Sequence, residues 1–202
     1  VKHLLMIVPF FPPMGGGGVY RPLSFVRYLP ASGWRVTVIA PRGDAFWIRD
    51  ESLLAAIPAD ARIVRTETFS GQALMRRTRA GAQTRSSRHF GALRRIASTV
   101  AIPDSYIGWY PFAVRAAMRE SSTQKFDALY STSPPESAHL IAATVQRRTG
   151  LPWVADFRDP WMNLHLLDVP SRAHAALHRK LERAVCRRAS VVVTTQWSEA
   201  LL

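Results

Sequence analysis

Short, almost continuous apolar runs recur along the chain at Leu4 to Val8, Arg35 to Ala40, Ala61 to Thr66, Ala128 to Ser131, Trp153 to Asp156 and Ser190 to Thr194. Runs of that kind, apolar at successive rather than alternate positions, suit strands buried on both faces of a sheet. The segments between them are long enough for crossover helices, which predicts parallel pairing. Three helices are predicted in those segments. Val19 to Leu29 follows a run of glycines, Glu136 to Thr149 follows a Ser-Pro-Pro turn, and Ser171 to Arg188 places Leu177, Leu181, Ala184 and Val185 on one stripe. Gly33 and Gly150 stand where helices must stop, each just before a strand, and read as C-cap residues. Trp109 and Tyr110, ahead of Pro111, either line a cleft or anchor the helix that follows them, and anchoring is the favoured reading. The β-α-β rhythm predicts an α/β fold: a Rossmann-like parallel β-sheet with helices on both faces.

Between Gln72 and Arg95 the pattern changes. This stretch holds Arg76, Arg77, Arg79, Arg85, Arg88, Arg94 and Arg95, no acidic residue, and only scattered Leu74, Met75, Phe90 and Leu93. Its apolar content is too thin for a core helix, so it reads as a basic insertion of residues 70–100 lying on the surface. Arg76, Arg77 and Arg79 are its candidate contacts to a membrane or phosphate. A solvated loop without a partner is the competing reading. There is no internal repeat.

Composition narrows the function classes. The 202 residues are 48% hydrophobic, the size and balance of one globular domain. No stretch reaches the roughly 20 apolar residues of a membrane span. The opening Val1 to Val8 could pass for a signal-peptide core, but it breaks at Pro12-Pro13 without a small-x-small cleavage site and reads as a first strand. Cys186 is the single cysteine, so no internal disulfide can form, and a cytoplasmic location is expected. Lys and Arg number 27 against 14 Asp and Glu, a net charge of +13 that points to an anionic partner. His174 and His178, four apart on a helix, lack a third ligand and read as solvent-facing residues, so no metal site is expected.

Three motifs carry candidate chemistry. After the first strand come Pro12-Pro13-Met14-Gly15-Gly16-Gly17-Gly18 and then a helix. Glycines there let backbone N–H groups approach a ligand, and the helix N-terminus favours an anion such as a diphosphate. The dinucleotide fingerprint fails, because Arg21 stands where its third glycine belongs and the second strand ends in Ala40-Pro41 without an acidic ribose ligand. No Gly-Lys-Ser/Thr follows, which excludes a P-loop. The second motif, Ser131-Thr132-Ser133-Pro134-Pro135-Glu136-Ser137-Ala138-His139, falls at a strand's carboxyl end. Ser133 and Ser137 are placed to cap the helix or to meet sugar hydroxyls, and His139 is either a packed residue or a ligand. The third is Asp156-Phe157-Arg158-Asp159-Pro160-Trp161, again at a strand's carboxyl end. Two carboxylates flanking an arginine are costly to bury unpaired. Either they form an internal salt bridge that fixes the loop, or a carboxylate orients an acceptor hydroxyl, Arg158 binds phosphate and Trp161 stacks on a sugar ring.

The succession Pro-Pro-x-Gly-Gly, Ser-x-Pro-Pro and Asp-Phe-Arg-Asp-Pro-Trp resembles the N-terminal domain of family 4 glycosyltransferases over nearly the whole chain. The resemblance implies the N-terminal, acceptor-side half of a GT-B fold and retaining, metal-independent transfer from a nucleotide-activated sugar. In its terms Gly15, Gly16, Gly17 and Gly18 lie near the donor diphosphate. Ser133, Pro134, His139 and Trp161 line the substrate site, and Asp156, Arg158 and Asp159 carry catalysis. Many relatives place a histidine after the strand that here ends in Asp156-Phe157-Arg158, so its role falls to Arg158 or Asp159. The implied partners are a C-terminal nucleotide-sugar domain with a Glu-x7-Glu motif, absent from these residues, the nucleotide-sugar itself as co-substrate, and a sugar or lipid-linked acceptor in polysaccharide or glycolipid synthesis. The domain alone is expected to bind no cofactor and to be inactive, with a peripheral position at the inner face of a membrane. The alternative is a stand-alone anion- or nucleic-acid-binding module without catalysis.

Overall fold

A computed structural model describes residues 1–43, 48–69, 101–162 and 170–195. Six strands form one sheet: β1 (Lys2–Ile7), β2 (Trp34–Pro41), β3 (Arg62–Thr66), β4 (Ala128–Ser133), β5 (Trp153–Phe157) and β6 (Val191–Thr194). Their order is β3-β2-β1-β4-β5-β6 and every pairing is parallel. All six apolar runs became strands, with ends shifted by one or two residues. Among the described residues four helices pack on the sheet: α1 (Tyr20–Tyr28), α2 (Tyr110–Thr123), α3 (Ser137–Thr149) and α4 (Arg172–Arg188).

The central strands of the sheet are buried on both faces by side chains from successive positions, while the edge strand β6 is largely exposed. Leu4, Met6 and Val8 of β1 and its continuation join Val36, Val38 and Ala40 of β2 under Leu23 and Val26 of α1. On the opposite face Leu5 and Ile7 join Ile39, Leu129, Trp153, Ala155 and Phe157 beneath α2, α3 and α4. Alternate residues of one strand thus reach two different cores, which is why the runs read as continuous. Gly33 (φ 78°) and Gly150 (φ 70°) both take the left-handed conformation expected of C-cap residues.

Helix α4 is rotated from the predicted stripe. Leu177 and Ala184 are exposed, while His178, Leu181, Val185 and Cys186 face the core. The cause is Trp161, fully buried, whose Nε1 donates to Nδ1 of His178 at 3.0 Å. A buried indole N–H requires an acceptor, and the histidine expected in solvent supplies it. Trp109 is fully buried and donates to Thr66 Oγ1 at 2.7 Å, so it anchors α2. Beside it Phe69 N donates to Gly108 O at 3.3 Å, and the Phe69 and Phe112 rings meet edge-on at 5.0 Å. The basic stretch with Arg76, Arg77 and Arg79 lies outside the described residues. None of the described helices is long and apolar enough to cross a membrane.

Candidate active site at the carboxyl edge of the sheet

Strand order reverses between β1 and β4, and in open α/β sheets ligands bind in the crevice outside the carboxyl ends of the strands at such a point. All three motifs emerge there, after β1, β4 and β5. The glycine loop is pinned from one side, where Gly15 N donates to Ile48 O at 3.1 Å and Asp50 N donates to Pro13 O at 2.9 Å. Gly16 has φ 94°, a left-handed conformation that L side chains avoid. Gly17 to Val19 form a 3-10 turn leading into α1, whose N-terminus therefore opens on the crevice. Gly18 is required for another reason: a Cβ there would overlap Arg158 Nη1 and lie 2.8 Å from Phe10 Cδ2.

Arg158 ties the three loops together. Its backbone N and its Nε donate to Ser133 O at 3.1 and 3.0 Å, and its Nη2 donates to Pro134 O. The guanidinium lies 5.6 Å from the Phe10 ring centroid, in cation–π range, with Nη1 against Gly18. Burial pulls its pKa down, opposed by the charges of Asp156 and Asp159. It forms no salt bridge with either flanking carboxylate among the described residues, so the internal Asp–Arg pair weighed above is not the arrangement found. Arg158 binds backbone carbonyls instead.

Asp156 takes a different cation. Its Oδ2 accepts from Tyr130 Oη at 2.5 Å and Thr132 Oγ1 at 3.2 Å, and it lies 3.0 Å from Nε of Arg21 in the first turn of α1. Asp156 is 1% exposed, and its Oδ1 is buried without a hydrogen-bond partner among the described residues. Burial, then the Asp156 charge, push the Tyr130 phenol far up. A cation at a helix N-terminus opposes the macrodipole, so Arg21 needed an external reason to be there, and Asp156 is that reason. The sequence signal was present but read only as a missing glycine.

Asp159, by contrast, is exposed. Between it and the helix lies a carboxyl pair that the sequence reading did not assign. Asp104 accepts Ser137 N and Oγ at 2.7 and 2.8 Å and Tyr106 N at 2.7 Å, so it caps α3 from 33 residues upstream. Ser137, placed by the sequence either to cap the helix or to meet sugar hydroxyls, is itself capped by Asp104. Burial raises the Asp104 pKa. Next to it Glu136, 4% exposed, is pushed up to about 8 by burial and then by the Asp104 charge, with Asp159 adding and Arg158 opposing. A value raised in this way favours the protonated carboxyl. Nothing local in the sequence pairs Asp104 with Glu136, since the contact is made only by the folded sheet.

The remaining predicted residues lie below the crevice. Ser133 is buried, its Oγ without a partner among the described residues, and the peptide bonds on both sides of Pro134 are cis. His139 is fully buried between Phe157 and Trp153 at centroid distances of 4.4 and 6.2 Å, with Nδ1 2.7 Å from Ser131 Oγ. Burial and then the Arg158 charge bring it down to about 3, so it is a neutral packed ring. Trp161, expected to stack on a sugar, has no exposed surface and belongs to the core, because its indole N–H is committed to His178. No group of three or more His, Cys, Asp or Glu residues suited to a metal ion occurs among the described residues.

The family model described as the glycosyl transferase 4-like domain matches residues 15–201. The chain belongs to that family, and its sheet is the Rossmann-like half of the GT-B fold. Among curated proteins none matches. The solved structures it resembles include the crystal structure of Acinetobacter baumannii MurG, at 18% identity and TM-score 0.47 over 96% of this chain and 41% of that one. Phytolacca americana UGT2, apo, is 14% identical with TM-score 0.45. The same protein complexed with UDP-2fluoro-glucose and pterostilbene gives 14% and 0.47, each match covering 79% of this chain and 30% of that one. The chain therefore spans less than half the length of any of these.

Proposed function

We propose that this chain is the single acceptor-side domain, with a basic insertion at 70–100, of a retaining, metal-independent glycosyltransferase. A second, C-terminal domain holds the nucleotide-sugar, and the acceptor is a sugar or lipid-linked saccharide in polysaccharide or glycolipid synthesis, at the cytoplasmic face of a membrane. The observation that carries this reading is the juncture of Arg158 with the glycine loop. A guanidinium and the N-terminus of α1 face one spot at the strand-order reversal, where a leaving diphosphate would be stabilised. Gly17 leaves that approach open, since nothing lies within 4 Å of where its Cβ would be.

Asp159, exposed at the rim, orients the acceptor hydroxyl. Glu136, its pKa raised by burial and by Asp104, favours the neutral form and so limits the negative charge beside the donor. Asp156 acts through Arg21 and Tyr130 as a positioning residue, and Ser133, Pro134, His139 and Trp161 shape the floor without touching the transferred sugar. Because positioning across an interdomain cleft supplies most of the barrier reduction, the isolated domain has no turnover.

The test is transfer by a two-domain protein carrying this sequence, using a panel of nucleotide-sugars and a membrane lipid extract. Asp159→Asn should reduce kcat by roughly 10²-fold or more, with unfolding unchanged because the residue is exposed. A variant with normal kcat removes Asp159 from the mechanism, and absence of transfer from every donor overturns the reading as a whole.

A further inference from the structure

Helix α4 buries His178, Leu181, Val185 and Cys186 and turns its other side outward. That side carries Arg172, Arg179, Lys180, Arg183, Arg187 and Arg188, all exposed. The helix holds one acid, Glu182, which is half-buried and reaches the backbone of Met162. None of the six cations is in a salt bridge among the described residues. The neighbouring α3 ends in Arg147 and Arg148, also exposed, and between the two helices a shallow cleft of about 500 Å³ is lined by Gln146, Ala184, Arg187 and Arg188.

Apart from Arg187 and Arg188, which complement the helix dipole in the last turn, such a face does not serve the stability of the helix. Arg179, Arg183 and Arg187 follow one another at i, i+4, a spacing at which like charges repel and opposite charges attract. A face maintained only by solvation carries both signs, whereas this one carries one. The spaces between the cations are filled by Ala173, Ala176, Leu177 and Ala184, and Leu177 is 40% exposed. No aromatic side chain lies on the face, so it lacks the stacking platform that nucleic-acid grooves use. Small apolar residues between long cationic ones, along roughly 25 Å of straight helix, fit a flat anionic layer into which the arginines reach.

We propose that the outer face of α4, with the end of α3, is a docking surface for an anionic phospholipid bilayer. This surface is separate from the crevice and stands whether or not the chain takes part in sugar transfer.

The experiment is flotation of the 202-residue chain with vesicles of phosphatidylcholine alone or mixed with phosphatidylglycerol, at rising salt. Binding to the anionic vesicles only, weakening as salt rises, is expected. R179E/R183E/R187E, all at exposed positions, should lower the partition coefficient at least about 100-fold with an unchanged circular dichroism spectrum. R76E/R77E/R79E should retain most of the binding. The proposal is overturned if the chain ignores anionic vesicles, if the insertion variant loses binding as fully as the helix variant, or if a DNA duplex is bound more tightly than the vesicles. Should the helix variant misfold, single R183E and R187E variants replace it, each expected to weaken binding several-fold, and wild-type partitioning in both overturns the assignment.

Discussion

Substituting Gly18 by alanine, with Gly17→Ala as its control, tests whether Arg158 truly seals the three loops. At Gly18 the new methyl would overlap Arg158 Nη1, lie 2.8 Å from Phe10 Cδ2 and 3.3 Å from Arg158 Cζ. Either the guanidinium swings away, giving up its bonds to Ser133 O and Pro134 O, or the glycine loop lifts off Phe10. Overpacking of this kind costs about 1–3 kcal/mol. The half-exposed position of Arg158 favours the lower part of that range, because water can take over part of its bonding. Gly17, one residue earlier, has nothing within 4 Å of its would-be Cβ and no positive φ. Alanine there should be neutral or stabilise by roughly 0.4–1 kcal/mol, through the unfolded chain. The assay is urea unfolding of both variants, with equal m-values as the condition for comparing midpoints. If the two midpoints agree within about 0.5 kcal/mol, Arg158 does not pack on the loop as described, and the anion-binding reading loses its support.

Glu136 makes stability depend on pH. Its folded pKa of about 8 lies above the ordinary value of 4.5, so its contribution is fully present below 4.5 and is lost as pH rises through 8. Glu136→Gln should flatten the decline and be more stable than wild type above pH 8, by an amount of order a few kcal/mol. Equal slopes in urea midpoints across that window would show that Glu136 is solvated. Trp161→Phe leaves Nδ1 of buried His178 without its donor and should cost about 1–3 kcal/mol, measured by the same unfolding assay. A loss under about 0.5 kcal/mol would mean the indole bond is not formed.

The fold was legible because every strand announced itself by apolar residues on both faces, and because Gly33 and Gly150 fix helix ends by their own backbone conformation. The crevice was legible in outline, since the three motifs sit at strand ends and any parallel sheet brings those ends together. Its chemistry was less so. Arg158 and Asp156 are adjacent but one but belong to different networks, because their side chains leave the end of β5 in different directions and meet partners from other parts of the chain. Asp104 caps a helix it does not precede, and Trp161 looked like a sugar platform only because local sequence does not show that an indole N–H is already spent on His178. Local patterns determine elements, whereas burial and ion pairing are decided by residues far apart in sequence.

The bond from Phe69 to Gly108 and the ring contact from Phe69 to Phe112 join the chain just after β3 to the start of α2, closing the residues between into one loop. The entropy of closing such a loop grows only with the logarithm of its length, about 0.6 kcal/mol for each doubling. The sheet therefore loses little when the length of chain between Phe69 and Gly108 changes, so long as that junction stays shut, while the crevice stays the same.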